Sequence, residues 1–316
     1  MGGDLPPTEI FHAVLLIAET RPAKDVFVVF GHNIALETAR NIYAPKNDSA
    51  RIEFFETTEV IGTEDSPLFA VRRKKDSSLL KAITMLREGY LDGFVSAGNT
   101  GALVAGASLT LPALPGIDRP ALLATIPSRR GDVAVLDIGA TVSCKAKHLM
   151  QFAKMGIAYQ KCIKGVNRPT VGLLNIGIEA KKGRSEECLA YEAMQENCFG
   201  GEFIGNIEGA DVFRGKVDVL VTDGFSGNVF LKTSEGISSF VFESLQGSLP
   251  DSQEISDFYR QLNYEERAGA VVCGVDGIIV KCHGYSSQKA IRNGIQGVIS
   301  LIESKFTNAM KEILQD

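Results

Sequence analysis

The sequence predicts an α/β protein: a three-layer, Rossmann-like, mostly parallel sheet with a helical hairpin inserted into it. Three observations carry that expectation. Short β-rich runs alternate with longer helical patterns along the 316 residues. Most of those runs are continuously apolar, as strands covered on both faces are. One stretch, residues 238–267, holds two helical patterns joined at Gly247-Ser248-Leu249-Pro250 with no strand between them.

In chain order, a helical pattern over 7–20 leads into the apolar run 26–30, and a second over 33–43 leads into 52–55. Helix 77–89 precedes the run 93–96, and helix 99–111 precedes two β-rich runs, 122–126 and 133–137. The run 170–175 is followed by helix 186–197, and 217–222 by helix 228–246. The last pair is the run 278–282 and a long helix over 289–313. Strand, crossover helix, strand is the doubly wound pattern. With no repeat, low-complexity tract or linker, the chain is expected to form one domain whose two lobes share the sheet.

Composition removes several function classes. At 45% hydrophobic and 22% charged the chain is globular and not disordered. With 33 Lys+Arg against 38 Asp+Glu it carries a net charge of −5, which disfavours nucleic acid as the main partner. No apolar run reaches the ~18 residues needed to cross a bilayer, and the first residues lack the basic and apolar regions of a secretory signal, so the expected compartment is the cytoplasm. Cys144, Cys162, Cys188, Cys198, Cys273 and Cys282 form no CxxC pair and have no His at ligand spacing, so no metal site is expected and the thiols read as reduced.

The ends of the strands carry the chemistry. Ligands of open parallel sheets bind where strand carboxyl ends meet helix N-termini, and here those loops are rich in glycine, hydroxyl and amide residues. Ser96, Gly98, Asn99, Thr100 and Gly101 follow one strand, Asp137 ends another, and Asn175 leads into Ile176-Gly177-Ile178-Glu179-Ala180-Lys181-Lys182-Gly183. Asp223, Ser226, Gly227 and Asn228 follow a further strand, and His283 stands before Gly284 after the last. Glycine lets a backbone approach a ligand closely, and helix-opening N–H groups suit a phosphate-sized anion. Lys182 and Lys232 read either as solvated charges or as cations for that anion. Asp223 is either a helix cap or a group orienting a ligand or lysine, and His283 either a structural group or a general acid–base. Neither the P-loop nor GxGxxG is present, which weighs against kinases and simple dinucleotide enzymes. Without GxSxG or HExxH, and with Cys144 the one thiol near such a loop, a covalent acyl-enzyme is not suggested.

Taken in order, these loops resemble the PlsX family of phosphate acyltransferases. The resemblance rests on Met1-Gly2-Gly3-Asp4, Ser96-Ala97-Gly98-Asn99-Thr100-Gly101-Ala102, Arg119-Pro120-Ala121 and Leu136-Asp137-Ile138-Gly139-Ala140. It continues through Gly172-Leu173-Leu174-Asn175-Ile176-Gly177, Gly205-Asn206-Ile207-Glu208-Gly209, Asp223-Gly224-Phe225-Ser226-Gly227-Asn228-Val229, Leu231-Lys232, Glu235-Gly236, and His283-Gly284 with Ser286. The resemblance implies a fold similar to isocitrate and isopropylmalate dehydrogenases and phosphotransacetylases. It implies acyl transfer from acyl carrier protein to inorganic phosphate without a cofactor, with the acyl phosphate passing to a membrane glycerol-3-phosphate acyltransferase in phospholipid synthesis. It also implies a homodimer that associates peripherally with the membrane. The chain departs from the family pattern in three places: it starts at the Met of the first motif without the strand and Asp that usually precede it, Thr141 replaces the usual Asn, and Ile178-Glu179 replaces a Glu-Glu pair.

The expected chemistry is direct attack of phosphate on the carrier's thioester. Asn99, Thr100, Ser226, Asn228 and Lys232 would hold the phosphate, and His283 or Lys182 would support the departing thiolate; no general base is assigned. Arg72-Arg73-Lys74-Lys75 and Lys181-Lys182-Gly183-Arg184 are candidate docking faces for the acidic carrier. Three alternatives stay open: a phosphotransacetylase using short acyl-CoA, an NAD-dependent dehydrogenase, and an inactive carrier-binding scaffold.

Overall fold

Proline at the first helical position starts two helices, Ser77 and Asn99 cap two more, and apolar runs form the strands in this computed structural model, which describes residues 6–245, 269–284 and 287–315. The elements, in chain order, are α1 (Pro7–Ala18), β1 (Val26–Gly31), α2 (Asn33–Ile42), β2 (Arg51–Glu56), α3 (Pro67–Arg73), α4 (Ser78–Arg87), β3 (Gly93–Ser96) and α5 (Thr100–Thr110). Then come β4 (Ala121–Ser128), β5 (Gly131–Leu136), α6 (Ala146–Lys164), β6 (Thr170–Leu174), α7 (Ser185–Glu196), β7 (Glu202–Ile207), α8 (Gly209–Phe213), β8 (Val219–Val221) and α9 (Gly224–Leu245). The last are β9 (Ala270–Cys273), β10 (Ile278–Lys281), α10 (Gln288–Glu303) and α11 (Phe306–Gln315).

The chain divides into two compact units. The first comprises Met1–Pro112, Arg267–Gly269 and Val275–Ile302. In it β1 pairs with β2, and β3 with β10, both in parallel. Helix α4 packs against β1 and β3 through a face that buries Leu79, Leu80, Ile83 and Leu86. Asn99 caps α5 by accepting the Ala102 N–H at 3.0 Å.

The second unit comprises Ala113–Glu266, Ala270–Gly274 and Glu303–Asp316. Its strands lie in the order β9-β4-β5-β8-β6-β7. β5, β8, β6 and β7 run parallel, so their carboxyl ends share one edge, whereas β4 is antiparallel to both β5 and β9. β8 and β9 are buried along their whole length, as covering on both faces requires. Helix α6 lies on β5 and β8, with Gly156 against Leu136 and Val219 and with Leu149, Phe152, Met155 and Ile157 fully buried.

The α/β class and every expected strand are present, and the strand pairings are mostly parallel as expected, with β4 the antiparallel exception. Three points differ from the expectation. β7 and β9 are additional strands, and α3, α6 and α8 additional helices. The expected helix over 289–313 is two, broken where Lys305 adopts φ 53°. The helix expected from Asn228 starts one turn earlier, at Gly224, because Asp223 caps it. The first arm of the expected hairpin is the end of α9; its remainder (246–267), the Met1–Asp4 motif and Ser286 lie outside the described residues. No helix among the described residues is long and apolar enough to cross a membrane.

Candidate active site

In the second unit, three loops leave the carboxyl ends of β5, β8 and β6. Asp137, the first residue after β5, is wholly buried. Its Oδ1 accepts the N–H groups of Leu122, Gly139 and Ala140 at 3.0, 3.1 and 3.0 Å, and its Oδ2 that of Thr141 at 2.6 Å. Burial pushes this carboxyl above its ordinary range, and the four amides pull it back. The loop is therefore wound around its own anion. Asp137 was expected to face phosphate; here it shapes the loop, and the amides of Gly139, Ala140 and Thr141 are already satisfied.

After β8, Asp223 accepts the Ser226 N–H at 2.6 Å through Oδ1, the cap geometry of α9. Its Oδ2 accepts from Arg184 Nη2. The first turn of α9 lies flush on the Asp137 loop: Gly224 N–H donates to Thr141 O at 2.9 Å, and Asn228 Nδ2 donates to Ile138 O at 3.0 Å. A Cβ on Gly227 would stand 1.9 Å from Asp137 O, so a side chain cannot be placed there without separating helix and loop. Ser226, Gly227 and Asn228 are thus gathered beside Asp137, with Asn228 exposed.

After β6, Asn175 is committed to local architecture. Its Nδ2 donates to Lys182 O at 2.8 Å and to Asn206 Oδ1 at 3.1 Å, and its Oδ1 accepts the Ile176 N–H. Asn206, buried, returns a hydrogen bond to Glu179 O at 2.7 Å. This side-chain lattice fixes the loop that presents Lys182, whose side chain is exposed and makes no ion pair among the described residues. At the departures from the family pattern, Thr141 is buried against Asp137 and Ile178 is exposed.

Arg184 joins this loop to the next. Its Nε and Nη2 both donate to Glu187 Oε1, and Nη2 also to Asp223, so one guanidinium ties β6's loop to the cap of α9. The bond to Glu187, and after it Asp223, hold this group protonated beyond its already high ordinary range. Sequence reasoning placed Arg184 only in a surface charge run. A single sequence carries no signal for this pairing, since the partner stands 39 positions away.

Lys232 lies one turn beyond Asn228 and bonds Glu235 Oε2 at 2.7 Å. The other candidates belong to the first unit. Ser96 Oγ accepts the Gly98 N–H at 3.2 Å, and Asn99 Nδ2 donates to the carbonyls of Gly62, Thr63 and Asp65. Thr100 and Gly101 open α5, and His283 follows β10 in an exposed position.

All six cysteines are unpaired, and no group of acidic, His and Cys side chains among the described residues is arranged to hold a metal. Burial first, then the charges of Asp137 and Asp223, push the Cys144 thiol up to about 12, and burial pushes Cys198 and Cys282 to about 11. A thiol held this high stays protonated at neutral pH and is no working nucleophile. Cys144→Ser is therefore expected to keep activity within about twofold, and iodoacetamide at pH 8 to leave Cys144 unlabelled; loss of turnover on its alkylation would overturn this.

Comparison with known proteins gives the family and the fold. The sequence model of a family described as fatty acid synthesis protein matches residues 1–309. A phosphate acyltransferase of Clostridium tetani is 38% identical over 325 residues, covering 99% of this chain and 96% of that protein. One of Chlamydia abortus is 40% identical over 305 residues, covering 96% and 94%. Among solved structures, the EutD phosphotransacetylase from Staphylococcus aureus superposes with a TM-score of 0.58 at 16% identity, covering 96% of this chain and 92% of that one. A phosphotransacetylase from Streptococcus pyogenes gives 0.58 at 12% identity, covering 93% and 98%. At such identity these two show a shared fold. The near-complete family match and the identities over almost the whole length place this chain in the fatty acid synthesis protein family known as PlsX.

Proposed function

We infer that this chain is a phosphate acyltransferase, moving an acyl group onto inorganic phosphate to give an acyl phosphate. The donor in this reading is the thioester of an acyl carrier protein. A phosphate oxygen attacks the thioester carbonyl, the C–S bond breaks, and the proton of hydrogen phosphate ends on the departing thiol. Hydrogen phosphate is nucleophilic at neutral pH, so the protein's work is to place it and to stabilise the oxyanion and thiolate. The observation that supports this in the second unit is the exposed pair Lys182 and Asn228, on loops from the neighbouring strands β6 and β8, joined beneath by Arg184 and Asp223. Lys182 supplies the positive charge for the anion, and Asn228 and the Ser226 hydroxyl supply polar groups beside it.

Incubation with palmitoyl-carrier protein and labelled phosphate, trapped with hydroxylamine, is expected to yield palmitoyl hydroxamate. Lys182→Ala should lower kcat/KM by about 100-fold, the scale of one lost transition-state charge contact; a wild-type rate in that variant would remove Lys182 from the chemistry. A second reading, phosphotransacetylase action on short acyl-CoA, is favoured by the fold neighbours alone. Acetyl-CoA outcompeting palmitoyl-carrier protein would select it.

The proposal includes a homodimer that touches the membrane surface and hands its product to a membrane acyltransferase. It is supported by the exposed apolar side chains Phe225, Val229, Ile237 and Phe240 on α9. It also extends the fold likeness to isocitrate and isopropylmalate dehydrogenases.

A further inference from the structure

The segment from Pro67 to Lys75 is unusual for a solvated turn of helix. Ala70 and Val71 anchor α3 in the first unit, while Leu68 and Phe69 stand 56% and 58% exposed. Arg72, Arg73 and Lys75 are exposed beside them, and the Arg73 guanidinium lies 4.8 Å from the centre of the Phe69 ring. Lys74 alone turns inward, with Nζ on Asp65 Oδ2 at 2.5 Å and on Val60 O at 2.8 Å. Of the neighbouring acids, Asp65 is occupied by Lys74 and Asp76 by Thr58 and Lys81, and Glu64 is exposed on the approach to α3. The result is a small face of two apolar side chains bordered by three outward cations.

The face is held stiffly to a candidate substrate loop. A Cβ on Gly101 would lie 2.6 Å from Pro67 Cγ, so the start of α3 and the first turn of α5 are in close contact. Asn99 caps α5 while its Nδ2 binds the carbonyls of Gly62, Thr63 and Asp65, the approach to α3. A partner seated on α3 would rest beside Asn99 and Thr100.

The geometry points to α3 as the docking face for the acyl donor's protein part: an acidic, helical carrier whose carboxylates meet Arg72, Arg73 and Lys75 and whose apolar contact is Leu68 and Phe69. Arginine forks pair with carboxylates, and charge complementarity gives such a surface orientation and rapid association. The inference rests on the carrier-protein reading of the donor and deepens it.

The test is the Kd of fluorescently labelled palmitoyl-carrier protein at low and high NaCl, measured by anisotropy. Arg72→Glu/Arg73→Glu is expected to weaken binding at least tenfold at low salt and to flatten the salt dependence, with the melting temperature unchanged. Leu68→Ser/Phe69→Ser should weaken binding without changing the salt slope. In turnover, the charge-reversed variant should raise KM for palmitoyl-carrier protein and leave KM for phosphate and kcat within about twofold. Unchanged Kd in Arg72→Glu/Arg73→Glu overturns the assignment. So does loss of sedimentation with phosphatidylglycerol vesicles while carrier Kd stays constant, which would make this a lipid-facing patch. A wild-type protein that binds the carrier through α3 but forms no acyl phosphate would leave the docking face standing and sink the proposed reaction.

Discussion

Gly227→Ala is expected to lower stability by about 3 kcal/mol or more and to abolish acyl phosphate formation. The added methyl would stand 1.9 Å from Asp137 O and 2.7 Å from Thr222 Cγ2, both on closely packed elements. To reach ordinary contact, α9 must move more than about 1 Å from the β5 loop. That movement strains the Asn228–Ile138 and Gly224–Thr141 hydrogen bonds and shifts Asn228. At roughly 2 °C or more per kcal/mol in a chain of this size, the melting temperature should fall by about 6 °C or more. Gly236→Ala in the same helix is the control. Nothing lies within 4 Å of its added methyl, so helix propensity should make it neutral or stabilising by up to ~1 kcal/mol. Equal melting curves for the two variants would show that α9 does not sit on the Asp137 loop.

Arg184→Gln is expected to raise KM for phosphate more than tenfold, with a smaller effect on stability of about 1–2 kcal/mol. The side chains of Asp223 and Glu187 are 2% and 9% exposed, and Arg184 is the cation they share. Without it two nearly buried carboxylates face the position where an anionic substrate is expected. The Arg184 side chain is itself 61% exposed, which tempers the stability cost. Arg184→Lys keeps the charge but loses the forked contact, and should recover part of the phosphate affinity. Asp223→Asn placed on Arg184→Gln should recover part as well, because the unbalanced charge is removed; the double-mutant cycle should show coupling of ~1–3 kcal/mol. A destabilised Arg184→Gln enzyme with an unchanged phosphate KM would reduce this residue to a structural tie.

Much of the fold was legible because the relevant forces are local. Val26–Gly31, Gly93–Ser96 and Ile278–Lys281 are short apolar runs bounded by turn residues, and Asn99 and Ser77 stand where caps belong. Elements were missed where a local signal was interrupted. Helix α6 has apolar residues at 149, 152, 153 and 157, a clear helical period, but the intervening face position is Gly156, chosen for contact with Val219. β7 contains Gly205 at φ 97° and Asn206, both poor strand formers, and its pairing with β6 shifts register there.

The candidate site divides along the same line. Side chains that stay exposed on their loops, such as Lys182 and Asn228, were named from residue type and strand-end position. Asp137 was read as a substrate residue and the role of Asp223 was open, although a carboxylate beside glycine reads equally as ligand, cap or loop organiser. Only the count of its hydrogen-bond donors decides. Arg184 was invisible as a site residue for the reason already met: its partner lies on another strand's loop.

By itself the sequence determined the α/β class, the positions of the glycine-rich strand ends, the mostly apolar strands and the membership that the ordered motifs carry. These follow from side-chain periodicity, helix and turn preferences and residue identity, all readable over a few neighbouring positions. The tertiary structure decided which anion fills the Asp137 loop, which cation balances Asp223, where β4 reverses direction, and which basic residues of α3 face outward. Each of those is a competition between distant groups for one hydrogen bond or one charge, and its outcome depends on distances that exist only after the chain has folded.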